Sequence, residues 1–265
     1  ASLAAVSPAQ LFLAGVVPGL LIAALLGAWA MIEAPRVSVG TAPEWSLRHA
    51  LGISVGALPA LALPVVVLGG IYLGIYTPTE AAGVGVVLSL VLTVGLLRTI
   101  TLRELPDVFI LATRHSAALL AIVVGALVLG SALTLIGLPQ FLARYVMQSD
   151  LSPWVVLLVM NIVWIILGCF LEVISIILIT VPIFVPVAVA LHFDQIWFGI
   201  LMVINMELAV ITPPLGMNLF ALKAILPDEK IETIMRASLP SLAVVLLVLA
   251  LVWMFPGIAL FLVHL

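Results

Sequence analysis

Charge is what this chain has least of. Asp, Glu, Lys and Arg make up 8% of 265 residues, against 65% hydrophobic residues. A soluble domain carries about a quarter charged residues, so a water-soluble enzyme is excluded. The net charge of −3 offers no basic surface, and no nucleic-acid partner is expected. There is one cysteine, Cys169, set in an apolar run. It supports neither a disulfide framework nor a metal knuckle. His49, His115, His192 and His264 stand at segment ends, with no pair at metal spacing. No phosphate-binding loop, HExxH or Gly-x-Ser-x-Gly occurs, so catalytic residues and organic cofactors are not expected. The apolar runs lack period-2 alternation, which excludes a lipid-facing barrel.

What remains is a series of long apolar stretches, at roughly 9–32, 48–70, 80–97, 116–136, 153–171, 173–191, 196–222 and 240–263. Each approaches or exceeds the ~20 residues that cross hydrocarbon. The expected fold is all-α: a polytopic membrane protein with about six transmembrane helices, one re-entrant helical hairpin, a broken helix and interfacial arm helices. The arms are Leu102–Thr113, Pro139–Met147 and Asp228–Ala237, which mix charge and apolar residues at helical spacing. Arg36, Arg48, Arg98, Arg103, Arg114, Lys223, Lys230 and Arg236 fall on one face if crossings alternate, and Arg144 on the other. The positive-inside rule makes the richer face cytoplasmic. Both chain ends are then external.

Residue 1 is Ala, and no basic region precedes the first apolar run. The chain is expected to be processed, truncated or split. Pro18 and Trp29 in the first span are echoed by Pro240 and Trp253 in the last. Both spans read as the closing helix of a structural repeat, the usual build of secondary transporters. Most of the first repeat would then be absent.

The turn between 153–171 and 173–191 holds no basic residue and no polar linker. A turn at membrane depth is allowed only where it is buried in protein or lines a cavity. The expectation is a hairpin entering from outside, its tip (168–175) near the midplane, with Pro182 and Pro186 bending its second arm. The next segment contains Ile211-Thr212-Pro213-Pro214-Leu215-Gly216-Met217-Asn218. Two prolines remove donors from the helical ladder, and Pro213 disfavours helical geometry at Thr212. The helix should break here. A break frees carbonyls that suit a small cation and creates a half-helix N-terminus that suits an anion. Glu172 and Glu207 are carboxylates in apolar runs, costly by ~2.5–3.5 kcal/mol at membrane depth. Ser175, Thr180 and Asn205 can add oxygens, although buried hydroxyls often bond the preceding helical turn. The stretch 69–85, GGIYLGIYTPTEAAGVG, reads as an external turn and helix start, with Thr79 as cap and Glu80 on the helix dipole. Its Glu-Ala-Ala-Gly is similar to the coupling loop of ATP-driven permeases. That loop must be polar and cytosolic, and this one runs straight into a span.

Taken together, GGIYLGIYTPTEAAGVG (69–85), LGCFLEVISIILITVPIFVPVA (167–188), FGILMVINMELAVITPPLGMNLF (198–220) and the amphipathic DEKIETIMRASLP resemble the large membrane subunit of tripartite ATP-independent periplasmic (TRAP) transporters. The likeness covers nearly the whole chain and corresponds to the C-terminal half of that subunit, or slightly more. Family members usually carry Asp where Glu172 stands, often followed by Pro where this chain has Val173. The resemblance implies half of an inverted-repeat elevator transporter in a bacterial inner membrane, both ends of this chain periplasmic. It implies sodium as coupling ion, a small organic anion (a carboxylate or sugar acid) as substrate, and three protein partners. These are the missing N-terminal half of the large subunit, in the same or a separate chain, a small membrane subunit and a periplasmic binding protein. Carried over, residues 1–150 are scaffold-type helices and arms, 151–222 the transport-type unit, and 223–265 a cytoplasmic arm with the last span. The sodium site is Gly168, Leu171, Glu172, Ile211, Thr212, Pro214 and Gly216, with backbone and side-chain oxygens. The substrate site is Glu172, Ser175, Asn205, Thr212 and Asn218. A non-transporting scaffold subunit is the alternative. An embedded enzyme using Glu172 and Glu207 lacks a nucleophile or metal, and a passive pore fits the arms less well.

Overall fold

The computed structural model describes residues 6–34, 47–213 and 216–264, without the side chains of residues 47–57 and Met217. Arg36, Pro214 and the side chain of Arg48 therefore lie outside the described residues. Every described element is helical. In chain order they are α1 (Pro8–Glu33), α2 (Leu47–Tyr72), α3 (Pro78–Leu90), α4 (Leu105–Leu135), α5 (Leu138–Gln148), α6 (Pro153–Gly168), α7 (Val173–Ala190), α8 (Gln195–Ile211), α9 (Met217–Ile225), α10 (Ile231–Met254) and α11 (Gly257–Leu260). A π-helical stretch, Val91–Leu96, extends α3. Five of these, α1, α3 with its extension, α4, α7 and α10, are long and apolar enough to cross a membrane. Shorter apolar helices are Leu58–Tyr72, α6 and α8. The chain is a polytopic helical membrane protein, as its composition requires.

Two expected arms do not exist as separate helices. Residues 105–113 of the first and the following span form one helix, α4, of 31 residues. Neither Gly nor Pro occurs between Asp107 and Gly125, so nothing stops the ladder. Residues 231–237 of the other likewise run into the last span as α10, which carries Pro240 inside it. One missing donor is tolerated in a membrane helix when neighbours re-satisfy the freed group. The last apolar stretch ends earlier than expected, at Met254, where Phe255 and Pro256 interrupt it before α11. The third arm, α5, is a separate helix. Gly137 turns the chain in the left-handed region (φ 75°) and Pro139 stands in the first turn. Pro182 and Pro186 both lie inside α7.

The chain divides into two compact units, residues 31–119 and residues 1–30 with 120–265. In the first, α2 packs on α3. The cap of α3 is Thr77, not Thr79. The Thr77 hydroxyl accepts from the Glu80 amide at 3.3 Å, and the Glu80 carboxylate accepts from the Thr77 amide at 2.7 Å. This reciprocal box needs the cap three residues before the carboxylate, and the sequence TPTE supplies that spacing. Thr101 and Glu104 repeat half of it before α4, with the Thr101 amide donating to Glu104 at 2.8 Å. The Thr101 amide, and then its hydroxyl, hold the Glu104 carboxyl below the usual carboxylate range. Its contribution is present at neutral pH and is lost as pH falls through that lowered value.

The second unit is built around α8, whose neighbours are α6, α7, α9, α10 and α11. Leu157, Trp164, Ile176, Leu201, Leu208, Val248 and Val252 fill its core. Side-chain hydrogen bonds cross the apolar packing. The Trp164 indole N–H donates to the Thr180 hydroxyl at 3.0 Å, joining α6 to α7. The Trp197 indole N–H donates to the Val252 carbonyl at 2.8 Å, joining α8 to α10. The Asn205 amide donates to Asn161, joining α8 to α6. At the start of α6 and α8 and the end of α7 and α10, Trp154, Trp197, Phe193 and Trp253 form one aromatic cluster, with Trp154 and Trp253 centroids 5.5 Å apart. These ends therefore share one level, of the kind aromatic belts occupy at a membrane interface. Measured from that level, the 16 residues of α6 and 17 of α8 run ~24–26 Å at 1.5 Å per residue. The hairpin tip and the helix break thus lie at similar depth.

The Asn161–Asn205 bridge gives a direct test. Asn161→Leu removes the bridging acceptor, leaves the buried Asn205 amide with only its bond to Leu201, and should lower unfolding stability by about 1–3 kcal/mol. The double change Asn161→Leu/Asn205→Leu should cost less than the sum of the single changes. Thermal unfolding in detergent checks this, and simple additivity would show that the bridge carries no coupling.

Candidate functional site

The hairpin turns in four residues. α6 closes with the Cys169 amide shared between the Ile165 and Ile166 carbonyls, and the Phe170 and Leu171 amides both donate to Leu167. Glu172 is extended (φ −74°, ψ 145°) and its side chain does not cap α7. One Glu172 carboxylate oxygen, Oε2, is buried without a hydrogen-bond partner. Ser175 stands in the first turn of α7, half-buried.

The double proline acts as its chemistry demands. In a continuous helix the carbonyls of Ala209 and Val210 would accept from residues 213 and 214, which are prolines and have no N–H. α8 accordingly ends at Ile211, and Thr212 is extended (φ −83°, ψ 127°). The Thr212 amide folds back to Ala209 at 3.2 Å, and the Gly216 amide donates to Thr212 at 3.1 Å. The Thr212 hydroxyl donates to the Leu208 carbonyl at 2.6 Å. A methyl group on Gly216 would lie 2.7 Å from the Val210 oxygen and 2.9 Å from the Thr212 oxygen. Only a residue without Cβ fits there, because two peptide oxygens converge on that spot. The chain then re-enters a helix, α9.

Tip and break meet. A Cβ on Gly168 would fall 2.0 Å from the Ala209 Cβ, so the end of α6 lies directly on the last turn of α8. The Cys169 thiol donates to the Pro213 carbonyl at 3.7 Å. Among the described residues no three His, Cys, Asp or Glu side chains converge as metal ligands. The chemistry on offer is that of oriented peptide oxygens, one unpartnered carboxylate oxygen and the N-termini of α7 and α9.

The family model described as "Tripartite ATP-independent periplasmic transporter, DctM component" matches residues 1–258. The chain belongs to this TRAP transporter family. It is 42% identical to a C4-dicarboxylate TRAP transporter large permease protein DctM from Pseudomonas aeruginosa, over 96% of this chain and 59% of that protein. It is 34% identical to a sialic acid TRAP transporter large permease protein from Vibrio cholerae, over 95% of this chain and 59% of that one. It is also 34% identical to an ectoine/5-hydroxyectoine TRAP transporter large permease protein from Ruegeria pomeroyi, over 97% of this chain and 60% of that one. The chain thus spans about three-fifths of the length of these curated relatives. The family is one of transporter permeases and not of enzymes.

In this TRAP family member the structure assembles part of the residue set read from the sequence. Gly168 rests on Ala209, two residues before Ile211 ends α8, while Thr212 and Gly216 shape the break itself. Glu172 and Leu171 complete the tip. Asn218 is exposed in the first turn of α9, and Pro214 is outside the described residues. Asn205 is not brought to the break. It is fully buried seven residues earlier on α8 (~10 Å along the axis), its amide bonded to Asn161 and Leu201. Thr180 is likewise occupied, between Trp164 and Ile176. Sequence reasoning missed Asn161 and Ala209. Asn161 carried a signal, a lone amide in an otherwise apolar helix like Asn205. Ala209 carried none, because its importance lies in what rests on it.

The close approach predicts a compensating pair. Gly168→Ala drives a methyl group into Ala209 and should cost about 1–3 kcal/mol, the usual range for overpacking. Ala209→Gly in the same molecule should recover much of that loss. Wild-type thermal stability for Gly168→Ala alone would show that tip and break are not in contact.

Proposed function

We propose that this chain forms part of the membrane permease of a sodium-coupled, binding-protein-dependent secondary transporter that imports small organic anions. The observation that carries the reading is the contact of a hairpin tip with a broken helix at one depth, where prolines have stripped carbonyls of their donors. Freed carbonyls at such a point favour a small cation, and half-helix N-termini favour an anion. The converging oxygens of Val210 and Thr212, with the tip backbone at Gly168 and Leu171, are the proposed sodium ligands. The Glu172 oxygen that lacks a partner is a further proposed ligand there. The N-terminus of α9, with Thr212 and Asn218, faces the anionic substrate, and Ser175 approaches from the hairpin. Asn205 acts through Asn161 by holding α6 on α8, not by touching the ligand. The relatives named for C4-dicarboxylate and sialic acid support a carboxylate or sugar acid as cargo.

Ion drive supplies enough work. One cation moving down ~100 mV yields about 2.3 kcal/mol. An anionic substrate opposes part of that gain, and a second sodium ion per cycle would restore it. In this reading the hairpin, α8 and α9 travel together as the mobile part of an elevator. Residues 1–150 and the arms belong to the frame, and a small membrane subunit and a periplasmic binding protein complete the transporter. The membrane is a bacterial inner membrane, with both ends of this chain on its periplasmic side.

The test is uptake into liposomes holding the chain, the complementary part of the large permease, the small subunit and the binding protein. Uptake should require a sodium gradient. Thr212→Ala and Gly216→Leu should abolish it while the complex still assembles. Uptake indifferent to sodium removes the coupling, and wild-type uptake in both variants places the site elsewhere. Assembly without any uptake supports a scaffold role instead.

A further inference from the structure

In the unit of residues 31–119, α4 stands off α3 and leaves a narrow, apolar groove. Leu63 and Val67 of α2, Ala82, Gly85 and Ser89 of α3 and Phe109 of α4 line it, and its volume is about 510 Å³. From Ala82 to Thr93 it follows α3 and its extension for ~17 Å at 1.5 Å per residue. One leaflet contributes ~15 Å to a hydrocarbon layer of ~30 Å, so the groove is as long as an acyl chain is deep. Spread over that length, the volume gives a mean cross-section of ~30 Å². An α-helix with its side chains, ~10–12 Å across, needs roughly 80 Å² or more. The groove is too narrow for another helix and wide enough for one hydrocarbon chain.

One end of the groove carries charge. Thr93, Ile100 and Leu105 stand at that end. The Thr93 carbonyl accepts from the Thr99 amide at 2.8 Å and from the Thr99 hydroxyl at 3.3 Å, which folds the 97–100 turn back onto the π-helical stretch. Arg98 lies in that turn with φ 53°, a left-handed backbone that after a helix usually belongs to glycine. Arg103 stands two residues before Leu105. Both arginines are exposed, and neither makes a hydrogen bond or ion pair with any described residue. Of the neighbouring acids, Glu104 turns its carboxylate to the Thr101 amide and hydroxyl, and Asp107 is exposed in the first turn of α4.

We propose that this groove binds an anionic phospholipid, with one acyl chain laid along α3 and the phosphate held by Arg98 and Arg103. Basic side chains at the edge of membrane helices are natural partners of anionic headgroups. The assignment rests on the width, length and charge of the groove and stands whether or not the chain transports anything.

The test is photolabelling of the whole permease in liposomes containing phosphatidylglycerol with a diazirine near the end of one acyl chain. Labelled peptides, mapped by mass spectrometry, should fall within 81–93 and 105–112. Phosphatidylcholine carrying the same chain should label them several-fold less. Arg98→Gly/Arg103→Gln should cut the phosphatidylglycerol label several-fold without lowering the thermal midpoint in lipid-free detergent, because glycine relaxes the left-handed turn. Ser89→Leu, which fills the groove, should cut the label with both arginines in place. Label that is absent from 81–112, equal for the two lipids, or unchanged in either variant overturns the proposal.

Discussion

The structure depends on one constraint: inside lipid, a peptide group must find its hydrogen bond within the protein or line a cavity. Long helices satisfy it without help, and this chain is mostly long helices. Pro213 and Pro214 violate it on purpose. They remove two donors in succession, so the last turn of α8 cannot close on itself. The structure answers locally with the Thr212 amide and hydroxyl, and from outside with the Cys169 thiol on Pro213. What remains is a set of peptide oxygens converging on Gly216. A defect that would be expensive facing lipid is the place where the proposed function puts its cation.

Such a defect is useful only if it is held in place. The bracing around α8 is partly apolar and partly polar, and the polar share fixes register. Trp164 on Thr180, Asn205 on Asn161 and Trp197 on Val252 each join one helix to another at a fixed height. The aromatic cluster of Trp154, Phe193, Trp197 and Trp253 sets four helix ends level. Gly168 on Ala209 then brings the tip onto the break with no side chain between them. Unlike generic burial, these contacts cannot slide by one residue without losing a bond or creating a clash. That rigidity is what the proposed elevator motion needs of its moving part.

The family match and the local chemistry agree, and each limits the other. The family is a transporter family, and nothing in the described residues points to covalent chemistry. Yet the chain spans only about three-fifths of the curated relatives.

Much of this was legible in the sequence because the causes are local. Composition alone dictated a helical membrane protein. The Thr-Pro-Pro-x-Gly run dictated a break, since a proline lacks its donor in any surroundings. The short turn at 169–172, which holds no basic residue, was legible in the same local way. Local reasoning failed where a stop signal was assumed without a breaker, as in the arms that proved continuous with α4 and α10. It failed also where meaning lies between segments. The sequence shows Asn205 as a polar residue near the break. Only tertiary packing reveals that its amide is spent on Asn161, and that an alanine is the surface on which the hairpin tip rests. Hydrogen-bond donors missing from a backbone can be read from one residue. The partner a side chain meets across helices cannot, because it is fixed by a register that no single segment contains.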